Sequence, residues 1–113
     1  MAHDINAKLN NISMSAQKVR LVVDVVRGKK AVDALNILRF LPKAAAKQVS
    51  KVIASAVANA EENFGVSRDD LFVYRITADE APTRKWRRFG ARGRFKPILR
   101  RSSHISVILR EKE

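Results

Sequence analysis

Apolar residues recur along this chain at two different spacings, and the change from one to the other divides it. Near the start, Ile5, Ala7 and Leu9 alternate with polar neighbours, the period of a short strand. Asn10-Asn11 and Ser13 then punctuate the chain. Ser13 or Ser15 is placed to cap the next element, since a serine oxygen satisfies one of the unpaired amides in a helix's first turn. Val19, Val22, Val23 and Val26 follow at i, i+3, i+4 and i+7, which predicts a helix over residues 15–27 with Gly28 as its stop. A shorter helix is expected over residues 31–39, with Val32, Leu35 and Leu38 inward. Pro42 suits the first position of a third helix, because its missing N–H would be unpaired there anyway. That helix reaches about Asn63 on a narrow, alanine-rich stripe of Val49, Val52, Ile53, Ala56, Val57 and Ala60, and Gly65 ends it.

From Leu71 the period becomes two. Strict alternation puts Phe72, Tyr74, Ile76 and Ala78 on one face and Leu71, Val73, Arg75 and Thr77 on the other. A last strand over residues 104–109 turns Ile105, Val107 and Leu109 to one side. Helices followed by strands make an α+β chain. Between the two strands, residues 84–101 read R-K-W-R-R-F-G-A-R-G-R-F-K-P-I-L-R-R, with no helical apolar period and two glycines near the centre. The simplest geometry is a long protruding β-hairpin over residues 82–102, its tip near residues 89–93, within a single domain spanning residues 1–113. Arms of about nine residues at about 3.3 Å each reach roughly 30 Å. Such a ribbon has little core of its own and is marginal alone.

Charge says what would hold it. Lys and Arg number 23 against 11 Asp and Glu, a net charge of +12 and a pI near 11.0, which points to a polyanionic partner. Residues 81–109 contain no acid but carry Arg84, Lys85, Arg87, Arg88, Arg92, Arg94, Lys96, Arg100 and Arg101. Guanidinium groups pair with phosphate oxygens in bidentate fashion and lie flat on bases. Trp86, Phe89 and Phe95 interleave with these cations, as suits stacking on unpaired bases or packing across the hairpin. A disordered basic tail is the plainer alternative, but the segment is internal and returns to a strand. A second cluster lies on the helices: Lys18 and Arg20, then Arg27, Lys29 and Lys30, with Lys43, Lys47 and Lys51 on the third helix. Around Gly28, backbone and cations are able to approach a phosphate together.

Other chemistries find no footing. With no cysteine, disulfides and thiolate metal sites are excluded, and His3 and His104 are too far apart for a ligand spacing. No apolar run is long enough to span a membrane, no basic amphipathic helix with an aromatic face suggests a membrane surface, and the N-terminus lacks a signal core. A cytosolic protein is expected. Asp69-Asp70 and Asp79-Glu80 are adjacent pairs beside turns or strand ends, better suited to capping than to acid–base work. Ser102, Ser103 and His104 are neighbours on an extended chain and point to alternate faces. Gly90 and Gly93 match no phosphate-cradling loop. Neither an enzyme, a cofactor nor a small-molecule substrate is indicated.

Several blocks in order resemble one family, the bacterial large-subunit ribosomal protein twenty-two. They are residues 15–24 (SAQKVRLVVD), 26–29 (VRGK), 34–38 (ALNIL), 55–61 (SAVANAE), 70–71 (DL), 79–80 (DE), 93–94 (GR) and 101–105 (RSSHI). The resemblance implies three helices packed on a three-stranded antiparallel sheet, with a long hairpin. It implies a structural constituent of the large ribosomal subunit that contacts several domains of its RNA and helps them assemble. Its partners would be large-subunit ribosomal RNA, neighbouring ribosomal proteins and the nascent polypeptide in the exit tunnel. The hairpin tip would line that tunnel with Arg87, Arg88, Phe89, Gly90, Ala91, Arg92 and Gly93. The expected RNA-binding set joins Lys18, Arg20, Arg27, Lys29 and Lys30 to Trp86, His104 and the nine arm cations. Two departures from the family pattern are Phe89-Gly90 at the tip and Ala81-Pro82 before the arm. Two other readings are a helix-turn-helix DNA regulator and a free RNA chaperone. The first would have to read bases with Asp33, Asn36 and Arg39 alone.

Overall fold

The central strand of the sheet is the last in sequence. In a computed structural model describing residues 4–81, 84–89, 95–100 and 102–111, with side chains placed for 4–10, 12–81 and 102–111, β1 (Asp4–Ile12) and β2 (Leu71–Glu80) flank β5 (Ser103–Glu111), both antiparallel to it. Three helices, α1 (Ala16–Val26), α2 (Ala31–Phe40) and α3 (Ala44–Phe64), cover one face. A single turn of 3-10 helix, Arg68–Asp70, leads into β2, with the Ser67 hydroxyl accepting from the Asp69 amide, so the acidic pair serves a turn as expected. The α+β reading of three helices on a three-stranded antiparallel sheet stands.

Burial explains each element. Val19, Val22, Val23 and Val26 of α1 are fully buried, as the spacing predicts. In α3 the whole predicted stripe is buried together with Ala45 and Ala46. Its small side chains let this helix touch α1, α2, β1 and β5 at once. Ile105, Val107 and Leu109 carry the core into β5. Gly65 ends α3 in the left-handed region at φ 64°, turning the Val66 amide back to the Ala60 carbonyl.

Several expectations are corrected. Pro42 precedes α3 rather than opening it, because Lys43 takes the N-cap position. Ser15 does sit at the N-cap of α1, but its side chain makes no cap hydrogen bond; its carbonyl accepts from the Val19 amide. In α2 the buried residues are Ala31, Ala34 and Leu38, while Val32 and Leu35 are half-buried.

Both edge strands change faces partway. In β1 the register shifts between Leu9 and Ile12, so Asn10-Asn11 form a bulge inside the strand instead of ending it, and Ile5 and Ile12 are both buried. In β2 the shift falls between Val73 and Arg75. Leu71 and Val73 therefore share the core face with Ile76 and Ala78, and Tyr74 is exposed. Strict alternation had given that place to Phe72 and Tyr74. One extra residue reverses the parity of everything after it.

Candidate nucleic-acid interface

The expected hairpin is a separate two-stranded antiparallel sheet, β3 (Arg84–Phe89) with β4 (Phe95–Arg100). It follows from β2 and returns to β5, and Ala81 N–H donating to the Ser102 carbonyl marks its root. The pairing sets Arg84 opposite Arg100, Arg88 opposite Lys96 and Phe89 opposite Phe95. Like charges directly across a strand pair are destabilising. The radius of gyration, 17.2 Å, exceeds the roughly 13 Å of a compact chain of this length. Of the predicted arm and tip residues, Arg84, Lys85, Trp86, Arg87, Arg88 and Phe89 fall on β3, and Lys96 and Arg100 on β4. Gly90, Ala91, Arg92, Gly93, Arg94 and Arg101 lie outside the described residues. His104 is on β5, half-buried and opposite Asp79.

The helical cluster has a definite place. After α1, Arg27 at φ −61°, ψ 128° and Gly28 at φ 80° form a type II turn, closed by the Lys29 amide on the Val26 carbonyl. Only a residue free to take positive φ suits the second position. The turn then lays its backbone against the outer edge of β2. Gly28 N–H donates to the Val73 carbonyl (3.0 Å), Val73 N–H to the Lys29 carbonyl (2.8 Å), and Lys30 bridges to Phe72.

Two predicted RNA ligands complete that edge, which the sequence did not reveal. Arg20 Nε donates to the Ala78 carbonyl (3.0 Å) and an Arg27 guanidinium N–H to the Ile76 carbonyl (3.1 Å), with Asp24 holding Arg27 at 2.7 Å. An open strand edge invites pairing with another chain, and these arginines close it. The available signal was that Arg20, Asp24 and Arg27 stand at i, i+4 and i+7 on one stripe of α1. Both arginines remain exposed. Cations therefore run along β2 from the hairpin root, Arg20 beside Ala78, Arg27 beside Ile76, and Lys29 and Lys30 beside Val73 and Phe72. Lys18 is exposed on the first turn of α1. The structure thus brings Arg20, Arg27, Lys29 and Lys30 into one row leading to the basic arm, while Lys18 lies off that row, about 200° around α1 from Arg20. Lys43, Lys47 and Lys51 stand apart from that row, exposed on α3.

The other side of the sheet carries a different pair. Arg110 donates to Asp4 at 2.6 Å and lies 3.4 Å from the centre of the Tyr74 ring. The hydrogen bond from Arg110 holds the Asp4 carboxyl below its ordinary value of 3.8, and Asp4 raises Arg110 in turn. Among the described residues no group of three His, Cys, Asp or Glu is placed to hold a metal ion, and no helix is long and apolar enough to cross a membrane.

Comparison with known proteins agrees with this geometry over nearly the whole chain. The family model described as ribosomal protein L22p/L17e matches residues 7–110. The large ribosomal subunit protein uL22 of Dehalococcoides mccartyi strain CBDB1 is 52% identical over 106 residues, covering 94% of this chain and 97% of the relative. That of Herpetosiphon aurantiacus is 50% identical over 107 residues, 95% of each. The Pediococcus pentosaceus protein is 45% identical over 107 residues, 95% of this chain and 91% of its own. A match of this extent, through helices, sheet and arm alike, leaves one conclusion: the chain belongs to the ribosomal protein L22p/L17e family.

Proposed function

We propose that this chain binds the RNA of the large ribosomal subunit, the assembly its relatives are named for, and helps that RNA to fold. The family consists of structural ribosomal proteins and not of enzymes. The body docks through the row of Arg20, Arg27, Lys29 and Lys30, with Lys18 as a further contact from another side of α1. The hairpin passes between folded RNA segments, with Arg84, Lys85, Trp86, Arg87, Arg88, Arg92, Arg94, Lys96, Arg100 and Arg101 along its length and His104 beyond its root. Its tip, residues 87–93, lines the exit tunnel beside the nascent polypeptide, and the body touches neighbouring ribosomal proteins. The whole chain acts as one domain.

The observation that carries this reading is the hairpin's register. A ribbon that pairs only with itself has just Trp86 with Ile98 and Phe89 with Phe95 as apolar pairs, and its register sets Arg84 against Arg100 and Arg88 against Lys96. Phosphates between and around those cations remove the repulsion and supply the missing contacts. The test is a salt titration of RNA affinity. Six to ten phosphate contacts, each adding about 0.7–0.9 to the logarithmic slope, give a slope near about −5 to −8. A slope shallower than about −2 contradicts the reading, because the charges would then be solvated decoration.

A further inference from the structure

We infer that the groove between α2 and α3 is a second RNA site, which receives an unpaired nucleotide with its base stacked on Phe40. The inference rests on the reading of this chain as an RNA-binding protein and adds residues that neither the basic row nor the arm includes.

Phe40 is 79% exposed, more than any other large apolar residue among those described. The fold does not need it there: α2 already anchors itself through Ala31, Ala34 and Leu38. Tyr74, also exposed, has the Arg110 guanidinium over its ring. The Arg39 guanidinium lies over the Phe40 ring as well, but at 5.8 Å from its centre it is a looser contact than the 3.4 Å of Arg110 over Tyr74 and leaves the ring largely exposed. A ring this exposed, with a planar cation only loosely over it, is a surface for a nucleobase, whose π-face stacks on the ring while the guanidinium meets its edge or its phosphate.

The adjoining groove has the matching chemistry. It is lined by Asn36, Arg39, Leu41, Lys43, Lys47 and Ser50, with further apolar residues and no acid among the lining residues. Lys43, the N-cap of α3, and Lys47 one turn on are like charges at i, i+4, an arrangement that costs energy until an anion sits between them. Asn36 and Ser50 offer an amide and a hydroxyl to a base edge or a 2′-hydroxyl. Phosphate, base and ribose thus each meet a suitable group. The base must be unpaired, since in an A-form duplex both its faces are already stacked.

The full chain tests this, with a fluorescent single-stranded oligouridine and a fully paired RNA hairpin of equal length as probes. Phe40→Ala should weaken oligouridine binding by about tenfold, Phe40→Trp should preserve it, and neither should alter duplex binding. Phe40 packs little against the core, so thermal melting should show both variants folded as wild type. Lys43→Gln with Lys47→Gln should flatten the oligouridine salt slope by about one to two units. Photoreactive thiouridine in the strand should crosslink to the peptide holding Phe40. Unchanged affinity in Phe40→Ala together with crosslinks confined to the arm would overturn the inference and leave the proposed function standing. So would Phe40→Ala binding RNA normally while losing a ribosomal-protein neighbour in reconstituted subunits. Failure of the wild type to bind either RNA would overturn both.

Discussion

The body and the hairpin of this protein are held together by opposite means. In the body, α1, α3 and β5 present fully buried valine, isoleucine and leucine to one another, and removal of those side chains from water stabilises the fold. In the hairpin, two strands pair only with each other, and the register sets like-charged residues opposite each other at two positions. One region is self-sufficient. The other, on the proposed reading, is held by a partner outside the chain. If the hairpin binds RNA as proposed, the contrast separates folding from function: the part that binds need not be the part that folds, provided its root is fixed by strands of the core. Here that root is the β2–β5 pair, which continues into the ribbon beyond Glu80 and Ser103.

The largest effect should come from an attack on the body. Val23→Asp places an unpaired carboxylate where the wild-type side chain is fully buried. Burial of a lone charge is unfavourable enough to exceed the roughly 5–15 kcal/mol that holds a domain together, so cooperative unfolding should vanish from circular-dichroism melts. A normal melt would mean that α1 does not pack through this face.

Excision of the arm should have the reverse profile. Replacing residues 86–98 with Asn-Gly joins Lys85 to its partner Leu99 through a turn suited to antiparallel strands. The deletion removes Arg87, Arg88, Arg92, Arg94 and Lys96 but no residue of the core cluster. The melting temperature should hold while RNA affinity falls and the salt slope flattens by about three to five units. Collapse of the fold would show that the arm supports the body.

A finer division is possible at the β2 edge, where Arg20 and Arg27 bond to the strand and are also proposed to meet RNA. Arg20→Lys with Arg27→Lys keeps the charge but loses the planar guanidinium that reaches the Ala78 and Ile76 carbonyls. Each lost bond should cost about 0.5–1.5 kcal/mol in denaturant unfolding, with little change in the salt slope of RNA binding. Affinity lost without any loss of stability would make these arginines RNA ligands only.

The smallest effect concerns Asp4 and Arg110. The hydrogen bond from Arg110 depresses the Asp4 carboxyl below 3.8, so its contribution to stability is present above that pH and disappears as pH falls through the lower folded value. Asp4→Asn should flatten this part of the acid limb, seen as a smaller fall in melting temperature below pH of about 4. Asp4 is exposed and Arg110 only half-buried, so salt should erase most of the difference.

The sequence and the structure disagree in an instructive pattern. The stripes of α1 and α3, the inward face of β5 and the hairpin register as patterns of apolar and basic residues, and all four are present. The errors cluster on edge strands and at helix starts. Nothing in Phe72-Val73-Tyr74-Arg75-Ile76 announces which residue is the extra one, since both faces of the segment are apolar. The opposite register becomes visible only against Leu109 and Ile108. Asn10-Asn11 reads as a strand end because asparagine favours turns, yet Ser103 pairs with Ile12 beyond it. Arg20 and Arg27 read as cations available to a polyanion because the carbonyls they meet lie 58 and 49 residues away.

Element type, the α+β class and the basic character of the arm are local properties, written in the spacing of valines and the run of arginines. They survive without knowledge of any neighbour because helix and strand periodicity are backbone geometry. Which face of β2 enters the core, where each edge strand bulges and which arginines close the β2 edge depend on partners distant in the chain. Burial and hydrogen bonding act between surfaces brought together by folding, so those choices exist only once β5 lies between β1 and β2 and α1 lies along the edge.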